Sequence, residues 1–407
     1  MSSQLKICHV ITRMIVGGAQ ENTLYTCQGH LERGHEVTLV TGPSPGAEGN
    51  LLRQTCPAGL EIVEIPSLRR NLNPLQDWKA YQELLRFFQT RYFDVVHTHS
   101  SKAGILGRLA AWKASVPLVV HTVHGQPFFP YQLFLKNWFY IAAERCAAQR
   151  CDKIYAVAQA MIDQCVQAKV APRGKYKVVY SGMDLEAFIQ AQPEPELRQQ
   201  LGITDKNLVV GKIARLFDLK GHDVLLAAAP KIIAAVPEVK FLLVGDGPLR
   251  AKLEKQAAAL KITDHVVFAG LVPPAEVCRY TALMHVLAHL SLREGLPRTA
   301  VQALAAGVPV VAYPLDGTPE IVINGLSGYL CEPKNPDKVA DAIIRLLKNP
   351  TRRRKMGEHG RQEVQKKFSW RLMSNILELE YVDGLDRKKA VAESPEQPVN
   401  KTVRTSR

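Results

Sequence analysis

A few side chains in this 407-residue sequence have the types and spacing to act on an anionic ligand. Arg215 and Lys220 stand together in RLFDLKG. They offer a diphosphate a planar fork of donors and a compact ammonium. Glu294 lies in SLREGLPRTAVQALAAGVPVVAY, just ahead of a predicted helix. The first N–H groups of that helix have no intrahelical partner and point toward an anion in front of them. Gln302 follows Glu294 after seven intervening residues. His124 ends the run HTVH and is followed by Gly125, with no helix starting at once to bury it, so it is the candidate catalytic histidine. Gly17 and Gly18 allow backbone to approach a ligand closely. Each feature also has a plainer reading: a solvated pair of cations, a surface Glu, a histidine bonded to backbone, a tight turn. Placement in the fold separates the two readings.

The elements that must position these residues alternate between strand and helix. LKICHVIT (Leu5 to Thr12) is a short apolar run, followed by the glycine pair and a helical stretch from Ala19 to Arg33. Strand, glycine turn and helix open a doubly wound sheet, although no G-x-G-x-x-G fingerprint is present. Further strands are predicted at His35 to Thr41, Leu60 to Ile65, Asp94 to His97, Val116 to Val123, Lys153 to Val157 and Lys177 to Tyr180. Between them Asn73 to Tyr92 carries Leu75, Trp78, Tyr81, Leu84, Leu85 and Phe88 at helical spacing, and Ala103 to Ala114 reads as helix. Such sheets bind ligands at the carboxyl ends of their strands. The Gly17–Gly18 loop, His97 with His99, and His124 all fall at such ends.

QAQPEPE (Gln190 to Glu196) is polar and proline-rich and marks a linker. A second alternating series follows, with strands at Leu208 to Ile213, Lys240 to Val244, His265 to Phe268, His285 to Leu290 and Val308 to Ala312. Helices are predicted at Asp223 to Ala235, Leu249 to Leu260 and Asp337 to Lys348. In the central stretch Pro297 suits a first helical turn and Gly307 a left-handed stop. Arg215 and Lys220 then sit past the first strand of this series. The turn Gly270 to Pro273, with Val272, puts backbone where it could meet a nucleobase edge. The expected organisation is an α/β chain: a first Rossmann-like domain over 1–189, a second over 190–367, a last amphipathic helix over 368–385, and a disordered polar tail over 386–407.

Composition agrees with two domains of about 190 residues each. The hydrophobic fraction is 46%. Eight cysteines are scattered without zinc spacing and read as reduced core thiols, which favours a cytoplasmic location. No signal peptide is expected, because Lys6 and Arg13 interrupt the first apolar segment, and no apolar run reaches membrane-spanning length. The formal charge of +14 favours anionic partners, namely a diphosphate ligand or an anionic membrane face. Nucleic acid is not expected, since basic and aromatic residues are not interleaved. FFPYQLFLKNWFY (Phe128 to Tyr140) is dense in aromatics. It reads as a packed helix or as a face for a bilayer or a lipid-linked acceptor.

ITRMIVGGAQENTL, DVVHTHSSKAGILGRLAA, HTVHG, SGMDLEAF, IARLFDLKG, LLVGDGPLR and REGLPRTAVQALAAGVPVVA, taken in order, resemble the landmarks of family 4 retaining nucleotide-sugar glycosyltransferases. The resemblance runs from about Lys6 to Leu385. It implies the GT-B architecture, two Rossmann-like domains facing across a cleft, with the last helix crossing back to the first domain. It implies sugar transfer from a nucleotide sugar, UDP-sugar favoured over GDP-sugar, to a glycan or lipid-linked acceptor. Configuration would be retained, with no bound metal and no further cofactor. By the same resemblance Arg215 and Lys220 bind the donor diphosphate, Glu294 the sugar hydroxyls and Gln302 the ribose, while His124 lies beside the sugar. Gly17, Gly18, Val272, Leu296, Pro297 and Thr299 complete the donor-binding set. The expected setting is polysaccharide or glycolipid synthesis, in the cytoplasm or peripherally at the membrane's cytoplasmic face.

One departure stands out. The family's E-x7-E motif is E-x7-Q here, Glu294 to Gln302. An amide accepts a ribose hydroxyl with less strength than a carboxylate, a loss of about 1–2 kcal/mol. This departure alone suggests the alternative of a non-catalytic nucleotide-sugar binder. A nucleotide-sugar epimerase of related architecture fits the RLFDLKG and REGLP landmarks less well.

Overall fold

The computed structural model describes residues 4–44, 51–129 and 132–393. Pro130 and Tyr131 of the aromatic stretch and the tail from 394 onward lie outside the described residues. Among the described residues thirteen strands form two parallel sheets. The first holds β1 (Lys6–Arg13), β2 (Glu36–Gly42), β3 (Glu61–Glu64), β4 (Val95–His99), β5 (Leu118–Val123), β6 (Lys153–Ala156) and β7 (Tyr176–Val178) in the order 3-2-1-4-5-6-7. The second holds β8 (Leu208–Ile213), β9 (Val239–Val244), β10 (Val266–Gly270), β11 (Val286–His289), β12 (Val310–Ala312) and β13 (Gly328–Leu330) in the order 10-9-8-11-12-13. In both sheets the strand order reverses beside the first strand, between β1 and β4 and between β8 and β11. A crevice opens at such a point, outside the carboxyl ends of the strands.

Helices cover both sheets, so the inner strands are apolar runs rather than alternating ones. Val95, Val96, Val119, Val120, Val209, Val210, Val310 and Val311 are all fully buried. The helix Pro74–Thr90 starts on Asn73, whose side chain accepts from Gln76 N. It turns inward through Ala80, Leu84 and Phe88. Leu75 and Trp78, expected on its apolar face, are instead 82% and 66% exposed.

The helix Pro350–Lys367 and strand β13 carry no clear sequence signal. That helix is rich in Arg and Lys, and it packs through small residues. A Cβ on Gly357 would lie 1.8 Å from the Gly307 carbonyl oxygen. Gly307 itself has φ +76°, the left-handed stop expected after the helix Arg298–Ala305.

Residues 182–200 carry the chain between the sheets. The helix Glu186–Gln190 packs on helices of the second unit, and Gly182 lies against Trp370. The helix Trp370–Glu393 returns to the first sheet, where Met373, Leu377, Tyr381 and Leu385 are buried with Ile7, Val95, Leu118, Val120 and Tyr155. It continues past Leu385 to Glu393, whereas a polar composition alone reads as unstructured from 386. Lys388 explains the extension: its ammonium reaches Asp152 at 2.8 Å and the Pro117 carbonyl at 2.6 Å. Among the described residues no helix is long and apolar enough to cross a membrane. All eight cysteines are free thiols, five of them buried, and Cys56 and Cys146 are exposed.

Candidate active site

The loop after β8 carries Arg215 and Lys220. Leu219 and Gly221 both have positive φ, +67° and +69°, and a Cβ on Gly221 would lie 2.3 Å from the Leu290 carbonyl oxygen. This tight passage presses the loop onto the end of β11. Lys220 Nζ consequently lies 2.6 Å from Glu294 Oε1. Arg215 lies over the Phe217 ring, 4.9 Å from its centroid. Asp316, at φ +50°, accepts from Glu294 N at 2.7 Å and holds that backbone in place. Burial works to raise the Glu294 carboxyl, but His289 and the Lys220 ammonium outweigh it and hold it below the ordinary carboxylate value.

Beneath this pair lies Lys212, a fully buried lysine at the end of β8 that donates to the Ala288 carbonyl at 3.3 Å. Burial, with Lys220 nearby, brings its ammonium down to about 7. His289 Nε2 stands 3.8 Å from the Glu294 carboxylate, and its Nδ1 faces Thr299 Oγ1 at 3.3 Å. Burial lowers this imidazole to about 4. Thr299 belongs to the helix Arg298–Ala305, whose preceding residue is Pro297. Leu296 and Val272 are buried, and Gln302 is half-buried one turn into the helix. The site thus gathers two lysines, a carboxylate held ionised and a helix start at one end of the sheet. That arrangement suits a ligand with a polyanionic part beside a hydroxylated part.

The first unit supplies the opposite rim. His124 follows β5 and is partly exposed. Its backbone carbonyl oxygen lies where a Cβ on Gly295 would come within 2.3 Å, so only glycine lets the two rims close this far. Arg293 Nη2 donates to the Gln126 carbonyl at 2.5 Å, and its guanidinium covers the Phe129 ring at 3.8 Å. Arg298 pairs with Glu21 across the cleft. A Cβ on Gly18 would lie 2.6 Å from Arg298 Cδ, so the close approach at Gly18 is made to that side chain. Gly17 is extended and precedes the helix Gly18–Glu32. Burial, with the Arg298 charge, depresses the His124 imidazole to about 3, so it is neutral.

His97 and His99 do not join this rim. Both are fully buried: His97 faces Tyr381 and Thr122, while His99 stands directly behind His124, its Nδ1 3.0 Å from His124 Nε2. The sequence reading passed over Lys212, His289 and Arg298. Lys212 had a signal, a lone cation inside the otherwise apolar LVVGKI. The other two are recognisable only by their neighbours.

The family described as Glycosyltransferase Family 4 matches residues 16–187, and that described as Glycosyl transferases group 1 matches residues 193–363. The two spans abut at the crossover between the sheets and together take in most of the chain. The protein belongs to the family 4 glycosyltransferases. This glycosyltransferase is 27% identical to the Escherichia coli UDP-Gal:alpha-D-GlcNAc-diphosphoundecaprenol alpha-1,3-galactosyltransferase, over 84% of its own length and 88% of the relative's. It is also 27% identical to the GDP-mannose-dependent alpha-(1-6)-phosphatidylinositol monomannoside mannosyltransferase of Mycolicibacterium smegmatis, covering 87% and 92% of the two chains. The crystal structure of Anabaena HepE in complex with UDP and glucose superposes with a TM-score of 0.77 at 23% identity, covering 93% of this glycosyltransferase and 99% of HepE. The fold is therefore GT-B, as expected.

Proposed function

We propose that this glycosyltransferase transfers a sugar from a nucleotide sugar to a glycan or lipid-linked acceptor in polysaccharide or glycolipid synthesis. In this reading the anomeric configuration is retained and no metal is required. The observation that carries it is the meeting of Lys220 and Glu294 at a strand-order reversal, opposite His124 on the other rim. Arg215 and Lys220 take the diphosphate, and Lys220 exchanges its carboxylate partner for phosphate oxygens. Glu294 accepts sugar hydroxyls, Gln302 a ribose hydroxyl, and His124 lies against the sugar from the far rim. Backbone at Val272 meets the base, and Leu296, Pro297 and Thr299 frame the phosphates, with Gly17 and Gly18 on the opposite loop. Departure of the leaving diphosphate builds negative charge. The two cations and the helix start near Thr299 stand ready to stabilise it, without reorganisation at the moment of reaction.

A UDP-sugar is the proposed donor. The Escherichia coli relative is named for UDP-Gal and HepE was crystallised with UDP, whereas the mycobacterial relative is named for GDP-mannose. A lipid-linked acceptor is supported by the diphosphoundecaprenol and phosphatidylinositol in those names. It is also supported by the surface. Leu133, Phe134, Leu135 and Trp138 are 80%, 79%, 77% and 63% exposed around Lys136. An apolar patch beside a cation suits peripheral contact with an anionic membrane, at its cytoplasmic face. Phe129 is not part of that patch, because Arg293 covers it.

A thermal-shift panel of UDP, GDP, ADP and their sugar conjugates tests the donor. A ligand at 100 times its dissociation constant stabilises the fold by about 2.7 kcal/mol. A shift for one nucleotide class, lost in Arg215→Ala and Lys220→Ala, is the expected result. No shift with any nucleotide would sink the donor site.

A further inference from the structure

Behind His124 a row of imidazoles runs inward through the first domain. His124 Nε2 faces His99 Nδ1 at 3.0 Å, His99 Nε2 faces His9 Nδ1 at 3.0 Å, and His9 Nε2 faces His30 Nδ1 at 3.4 Å. His9, His30 and His99 are fully buried. The rings come from four different elements: His9 from β1, His30 from the helix Gly18–Glu32, His99 from β4, and His124 from the loop after β5. Parallel register places His9 beside His97, two residues before His99 on the same face of β4.

We infer that this row acts as one unit that sets which nitrogen of His124 carries its proton, making His99, His9 and His30 positioning residues for the group facing the sugar. A neutral imidazole has one N–H and one lone pair, and the bond made by one nitrogen decides the role of the other. Each link needs one donor and one acceptor. If the first ring donates through Nε2, every ring behind it must do the same. If the first donates through Nδ1, the whole row reverses. Intermediate arrangements leave two lone pairs or two protons facing each other inside the protein, at the cost of a buried unpaired polar group. The row therefore has two states.

The far end leaves the choice to the rings themselves. His30 Nε2 is buried and hydrogen-bonds no group among the described residues. With no partner there to choose, the row follows the intrinsic preference of a neutral imidazole for its proton on Nε2. All four rings then carry Nε2–H, and His124 turns the lone pair of Nδ1 to the cleft, ready to accept from a sugar hydroxyl. Burial keeps the row neutral. His9 and His124 are each lowered to about 3, and His30 and His99 lie well below the ordinary imidazole value.

His35, beside the row, shows the same logic: its Nδ1 accepts from Leu5 N, so its proton lies on Nε2 toward Glu378. A buried metal site is the competing use of this cluster. His9, His97 and His99 bring donor nitrogens within 4.8 Å of one another. All six of their ring nitrogens already face a partner, however, His97 facing Tyr381 and Thr122. A metal would have to break the row.

The inference rests on His124 facing the sugar, and the test keeps the two apart. Side-chain 15N–1H spectra of the full chain labelled at histidine should show His124, His99, His9 and His30 each protonated at Nε2 and bare at Nδ1. Protonation of His124 at Nδ1, or displacement of the ring protons by added Zn2+, would overturn the row. His99→Leu should lower kcat at least about tenfold while the nucleotide-induced thermal shift stays as in wild type. His99→Asn, whose amide oxygen can take the place of Nδ1 and accept from His124, should restore most of that loss. Equal rates for the Leu and Asn variants would count against a positioning role. If His124→Ala transfers sugar normally, the reading of His124 fails, whatever the spectra show.

Discussion

Lys220 and Glu294 are 74 residues apart in the chain and 2.6 Å apart in space. They meet because their loops leave β8 and β11, neighbouring strands at the point where the second sheet reverses its order. One ion pair thus joins the residue expected to grip phosphate with the residue expected to hold sugar. The pair orients the two side chains toward each other.

Replacing Lys220 by Ala should reduce sugar transfer by about 10²–10³-fold, the scale seen when a group stabilising transition-state charge is removed. The pH profile should move as well. Glu294 is held below its ordinary value by His289 and Lys220 against burial, so loss of the ammonium raises its carboxyl. The acid limb of kcat then shifts to higher pH. Because the native carboxyl is depressed, the pair's contribution to stability is present above the ordinary carboxylate range and fades as pH falls through the native value. A wild-type acid limb that the variant leaves unmoved would exclude this role for the pair.

Lys212 makes a second pH prediction. Its folded value is about 7 against an ordinary 10.5, so between those limits the unfolded chain holds a proton that the folded one does not. Stability should rise with pH across that window, and Lys212→Met should flatten the rise. A bound diphosphate nearby would favour the charged amine. Calorimetry of nucleotide binding at about pH 8, in buffers of different ionisation enthalpy, should show proton uptake that Lys212→Met abolishes.

Gln302 lies half-buried in the helix that starts beside the site. Gln302→Glu restores a doubled, charged acceptor for ribose and should tighten donor binding by about 1–2 kcal/mol. Titration of donor against both forms checks this. Poorer affinity in the Glu variant would mean that Gln302 does not face the ribose.

Gly295→Ala places a methyl group 2.3 Å from the His124 carbonyl, and backbone on one rim must move. With Arg298–Glu21 on the same boundary, closure of the cleft should be impaired while each unit stays folded. The expected result is a lower kcat, about tenfold or more, with a larger radius of gyration in solution scattering. An unchanged kcat would show that this close contact is not needed for turnover.

The exposed patch on the helix Phe134–Ala148 leads to a membrane test. Phe134→Glu combined with Trp138→Glu should reduce flotation with anionic liposomes and spare transfer to a water-soluble acceptor. Equal flotation of the variant and the wild type would remove the membrane contact from the proposal.

The alternation of strands and helices, the motif from Glu294 to Gln302, the Arg215–Lys220 pair and the stop at Gly307 were legible because each is a local signal. Burial on both faces makes a parallel strand continuously apolar, and a left-handed residue ends a helix wherever that helix lies. Local signals also misled: β4 ends on His97 and His99, yet both are buried off the cleft surface, and His99 reaches the rim only through His124. The helix Pro350–Lys367 packs through glycines, which leave no apolar stripe to read.

The sequence by itself therefore determined the fold class and the chemical types present at the cleft. The tertiary structure alone decided which of them meet: Lys220 with Glu294, Lys212 buried beneath them, Gly295 against His124, and the four histidines in line. These contacts join residues from different strands and loops. They depend on sheet register and on the approach of two separate rims, which no local spacing encodes.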